Sequence, residues 1–127
     1  MSSYTVNARV VQVKRDLDCK TTGVLVQAGP TQIVSLIVSN TTAATGAFFK
    51  IYDKATAPTT SDTPLKTIFL GANSTQVIVI QPRQGGELEP TTFQFQKGFG
   101  YRSVTGVADN DANSPASNGT VANIEFY

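Results

Sequence analysis

Histidine and tryptophan are absent from this 127-residue chain, cysteine occurs once, and charged residues make up only 15%. Without histidine there is no usual general base, no imidazole zinc ligand and no Ser-His-Asp or Cys-His nucleophile. The single thiol, Cys19, excludes an intramolecular disulfide framework. With no imidazole to activate it, Cys19 reads as a structural thiol. No run of 18 apolar residues is present, so no membrane-spanning helix is expected. The opening Met1-Ser2-Ser3-Tyr4-Thr5 lacks a basic segment followed by an apolar one, so no secretory signal is expected. The Asn-x-Ser/Thr matches at Asn40, Asn73 and Asn118 then read as chance hits in a chain with 17 threonines.

A net charge of +1 with no block of like charge speaks against nucleic-acid binding through a basic face. Lys14, Arg15, Asp16, Asp18 and Lys20 form a mixed-sign cluster that reads as a solvated turn. Paired carboxylates remain the one catalytic device open to the chain, since a glycosidase needs only two. The acids are Asp16, Asp18, Asp53, Asp62, Glu87, Glu89, Asp109, Asp111 and Glu125, mostly in expected loops and turns, with no tryptophan to stack on a sugar. No enzymatic activity and no cofactor are expected. Asp109, Asp111 and Asn113 alternate as in the opening of a calcium loop, but the sixth position is Ser114 and the twelfth Thr120. A solvated Asx turn is the favoured reading over a metal site.

What the chain does have is β-branched residues and frequent turn signals. Val, Ile and Thr stiffen the backbone against helix and suit a pleated surface. No stretch repeats apolar residues at helical spacing over a useful length. Candidate strands cover Tyr4–Val13, Gly23–Gln27, Gln32–Ser39, Ala47–Tyr52, Leu65–Leu70, Thr75–Ile80, Thr91–Phe95, Tyr101–Val107 and Thr120–Phe126. Gln32–Ser39 is apolar on both faces and is expected to be central. Gly71–Ser74 reads as a tight hairpin connection. Polar loops at residues 53–64, 81–90 and 108–119 separate the strands. The expected fold is all-β: one antiparallel β-sandwich domain over residues 1–127, jelly-roll-like, with about eight strands.

Tyr4, Val6, Ala8 and Val10 alternate on one side of the N-terminal segment. Ordering ten residues costs on the order of 10–20 kcal/mol of backbone entropy. Burying these four side chains returns roughly 5–8 kcal/mol. Strand pairing must supply the remainder, so residues 1–13 are expected to be a docked strand or an arm that reaches another subunit. Thr56-Ala57-Pro58 and Asp62-Thr63-Pro64 are expected to stiffen the 53–64 loop, either for docking or simply to span the two sheets. Candidate partner-contacting residues are Tyr4, Val6, Ala8, Arg9 and Val10, then Lys54, Thr56 and Pro58, and Arg83 in the 81–90 loop.

The run Lys50-Ile51-Tyr52-Asp53-Lys54-Ala55-Thr56-Ala57-Pro58, followed by Ser61-Asp62-Thr63-Pro64, resembles small structural proteins of tailed bacteriophages. So does Gly98-Phe99-Gly100-Tyr101-Arg102 with Val104-Thr105-Gly106-Val107-Ala108-Asp109-Asn110-Asp111. The similarity spans residues 40–127. It implies a non-enzymatic virion accessory component resembling capsid cement or decoration proteins, which sit as trimers over junctions of the major capsid protein. The implied partners are the major capsid protein and the chain itself, with no nucleic acid and no membrane. The implied location is the capsid exterior, after synthesis in the host cytoplasm. Related sandwiches also serve in tails, so a tail-fibre or baseplate module binding a host receptor or glycan stays open beside it.

Overall fold

A computed structural model describes residues 10–79 and 94–127. Nine strands and no helix occur among them: β1 (Gln12–Asp16), β2 (Val24–Ala28), β3 (Thr31–Asn40), β4 (Ala47–Asp53), β5 (Lys66–Leu70), β6 (Ser74–Val79), β7 (Gln94–Phe95), β8 (Gly98–Val104) and β9 (Thr120–Phe126). One sheet, here sheet A, has the order β1-β9-β3-β6, with the two-residue β7 also on β3. Sheet B has the order β2-β8-β4-β5. Every pairing is antiparallel.

The pairings are nested. β1 pairs β9, β2 pairs β8, β3 pairs β6 and β4 pairs β5. The chain therefore behaves as one long antiparallel ribbon whose tip is the β4–β5 loop. Rolling that ribbon up brings β3 against β9 and β4 against β8. This is the jelly-roll arrangement of a β-sandwich, as the strand pattern led us to expect.

Period-two alternation builds the core from both sheets. Leu36, Val38, Ala122, Ile124 and Phe126 of sheet A meet Phe49, Ile51, Leu70, Phe99 and Tyr101 of sheet B, all buried. Phe49 stacks on Tyr101 at 5.1 Å between ring centroids. At roughly 1.5–3 kcal/mol per buried large side chain, this layer is the main favourable contribution to the fold.

Two expectations fail. Gly71–Ser74 does turn the chain, with Asn73 at φ 51° and Ser74 donating its backbone N–H to the Gly71 carbonyl. It carries the chain from sheet B to sheet A, however, and β5 and β6 do not pair as a hairpin. The mixed-sign cluster is also not a turn throughout. Lys14, Arg15 and Asp16 lie in β1, and only at residue 17 does the chain leave the strand. The other two Asn-x-Ser/Thr sites have structural roles as well. Asn40 is buried and donates to the Thr45 and Leu70 carbonyls, while Asn118 takes a left-handed turn at φ 57°.

Candidate functional site

Tyr4, Val6, Ala8, Arg9 and Arg83 lie outside the described residues. Val10, the last of the N-terminal candidates, is 78% exposed and stands two residues ahead of β1. Lys54, Thr56 and Pro58 belong to the β4–β5 loop at the ribbon's tip, where Thr56 is exposed. The loop is organised by Asp62, which the sequence reading named only among the acids and as part of the Asp62-Thr63-Pro64 run. Asp62 Oδ2 accepts from Lys54 Nζ at 2.6 Å, from the Thr59 backbone N–H at 2.8 Å and from Thr59 Oγ1 at 3.1 Å. These donors, Lys54 first, hold the Asp62 carboxyl below its ordinary range.

Pro58 has a part in the fold itself, where it is buried. Its ring lies over Gly100, where an added Cβ would meet Pro58 Cδ at 2.8 Å, and its carbonyl presses on Gly23. Pro58 thus fastens the loop onto sheet B.

Pro58 is one part of a lid over the outer face of that sheet. Lys50, Tyr52 and Arg102 point away from the core, with Lys50 opposite Arg102 in register, yet all three are at most 1% exposed. Arg102 Nε donates to the Thr21 carbonyl at 2.7 Å, and Nη2 donates to Thr21 Oγ1 at 2.7 Å and to the Asp111 carbonyl at 2.6 Å. Its Nη1 reaches the Tyr52 hydroxyl at 3.1 Å. Lys50 Nζ donates to the Val107 carbonyl at 3.3 Å and to that of Ala108. Two buried cations therefore hold down the loops at residues 17–23 and 105–119 through backbone carbonyls. Burial pulls the Lys50 ammonium below its ordinary value, and Asp109 and Asp111 oppose that shift.

The candidate calcium ligands fall within this lid. Asp111 Oδ1 accepts the Asn113 backbone N–H at 2.8 Å, and Asp111 donates its own N–H to the Ala108 carbonyl at 3.0 Å. Asp109 and Asn113 are exposed. The segment is an Asx turn, and among the described residues no group of three or more His, Cys, Asp or Glu side chains could hold a metal. Asp16 and Asp18 are likewise structural. Tyr101 donates its hydroxyl to Asp16 Oδ2 at 2.5 Å, and Asp18 accepts the Asn118 N–H at 2.7 Å. Cys19 is fully buried, and burial, reinforced by Asp16, pushes its thiol well above the ordinary value. It stays protonated, which removes its nucleophilic form.

The outer face of sheet A is the opposite case. In register across β1, β9, β3 and β6 run the rows Val13-Glu125-Ser35-Val79 and Arg15-Asn123-Ile37-Val77. Val13 is 67% exposed, Val77 59%, Val79 53% and Ile37 37%. Ser35 Oγ donates to Glu125 Oε1 at 3.1 Å, so one of the two charges in these rows is already engaged. Among the described residues nothing covers this face. The groove of about 450 Å³ between Thr21–Gly23 and Ala57–Thr60 lies at the other side and has only neutral residues along it.

No protein-family model, curated protein or solved structure matches this chain.

Proposed function

We propose that this chain is a structural protein of a bacteriophage virion, a cement or decoration protein that binds the major capsid protein shell from outside. The observation that carries the reading is the outer face of sheet A, where Val13, Ile37, Val77 and Val79 stand in water with little charge around them. Apolar surface of this kind on a small protein marks a contact with another protein. The virion is supported by the resemblance of the 50–64 and 98–111 runs to phage structural proteins. A stiff β4–β5 loop suits the same role, because it has little entropy left to lose on docking. Self-association, as a trimer, would match the threefold sites of a capsid lattice and close its own contacts by symmetry.

Quantitative protein-gel analysis of purified particles, with stripped heads as control, tests the reading. A cement protein is present in hundreds of copies per virion and re-binds stripped heads. Six or twelve copies would overturn it and point instead to a tail or baseplate module.

A further inference from the structure

Among the described residues, the edge strands of the sandwich are β1 and β6 in sheet A and β2 and β5 in sheet B. Sheet edges are normally guarded against pairing with other chains by charges, prolines, bulges or shortness. β1 carries Lys14, Arg15 and Asp16, β5 carries Lys66, and β2 has a bulge between Leu25 and Gln27. β6, Ser-Thr-Gln-Val-Ile-Val, has six residues, no charge, no proline and an unbroken register with β3. Among the described residues it is the unguarded edge.

The exposed apolar side chains gather at the two edges of this same sheet. Val77 and Val79 stand on β6, with Ile37 directly beside Val77, while Val10, Val11 and Val13 lie in and just before β1. Three antiparallel steps separate β1 from β6, so the two edges run in opposite directions. Sheet A of one copy, continued by that of the next in the same orientation, would thus place β6 antiparallel to β1. Continued along the rows of the sheet, Val79 would then lie directly beside Val13, with Val77 and Val11 as diagonal neighbours on the same face, giving apolar cross-strand neighbours. Charge does not oppose this pairing: β6 brings no cation to Lys14 and Arg15, whereas a second β1 brings two cations against one anion, Asp16.

We propose that β6 of one copy adds edge to edge onto β1 of a second copy, head to tail, closing a ring through sheet A. A heterologous contact of this kind either closes or grows into a filament, and closure removes both edges. The proposal rests on the self-association put forward above and names its interface.

Sedimentation of the full chain tests it without any shell. The wild type is expected as a discrete closed oligomer. Val77→Lys and Val13→Lys, each at an exposed site, are expected to sediment as folded monomers of 13.5 kDa. An equimolar mixture of the two retains one intact β6 and one intact β1, and is expected to give a species of about twice the monomer mass. Val107→Lys, on the lid loop, is the control and should leave the oligomer unchanged. A monomeric wild type, an oligomer that survives either edge variant, or a mixture that stays monomeric would overturn the proposal; survival in Val13→Lys alone would point to β6 pairing with β6. Circular dichroism of each variant separates lost assembly from lost folding. A chain that forms the ring but does not bind stripped heads would leave this interface standing and remove the cement role.

Discussion

The two sheets present opposite solutions to the same problem, the outward face of a sandwich. Sheet B points a lysine, a tyrosine and an arginine outward and then buries them under its own loops. Sheet A points valine and isoleucine outward and leaves them in water. The polar face is closed and the apolar face is open. Residue type alone would have assigned them the other way round. A buried cation is tolerated only when hydrogen bonds replace its hydration, and the carbonyls of Thr21, Val107, Ala108 and Asp111 do this for sheet B. The second layer therefore depends on the two cations, and the first on core packing.

The largest effect should come from removing the clamp of the closed face. Arg102→Leu leaves the Thr21 and Asp111 carbonyls without their donor and should cost about 2–5 kcal/mol, since each orphaned buried acceptor costs about 1–3 kcal/mol. Urea unfolding reads the loss. Amide exchange should show it spreading from residues 105–113 and 17–23 while β3 and β9 keep their protection. A loss below about 1 kcal/mol, or one uniform over the chain, would mean that the lid is not held by this side chain.

Much of the framework was legible in the sequence. β9 falls where alternation from Thr120 to Phe126 puts it, and β3 is central because Gln32–Ser39 is apolar on both faces. β8 begins at Gly98 rather than Tyr101, and Gly98 and Gly100 are strand residues crowded by the Lys54 carbonyl and by Pro58. Turn chemistry at residues 71–74 foretold a reversal but not which sheet the chain would enter, since that depends on contacts distant in sequence. The lid was the hidden part. Nothing in the sequence marks Lys50 and Arg102 as buried, and only their pairing across β4 and β8 shows that one set of loops covers both. The open face was hidden for a related reason, because alternation marks two sides of a strand without saying which side is covered.

A smaller effect is expected from acid. The folded pKa of Asp62 lies below the ordinary 3.8, so its ionised form is favoured in the folded chain. The stability it contributes is full above 3.8 and is lost as pH falls through the lower folded value. Its side chain is 24% exposed, so solvent screening keeps the contribution small. Exchange at the Thr59 amide should quicken in that acidic window in the wild type. Asp62→Asn should show the faster rate already at neutral pH, and an unchanged rate there would remove Asp62 as the organiser of the loop.

The smallest effect should appear on the open face. Val77→Thr keeps the branched shape on β6 and exchanges one methyl group for a hydroxyl at a site that is 59% exposed. Measured in the Val13→Lys background, where the edge contact is blocked, it should change stability by less than about 0.5 kcal/mol. The same exchange at a covered site strands a hydroxyl and costs about 1–3 kcal/mol. A loss of that size at Val77 would mean that the chain covers this face with its own residues. The contrast between the two sheets would then collapse, and with it the observation on which the shell-binding role stands.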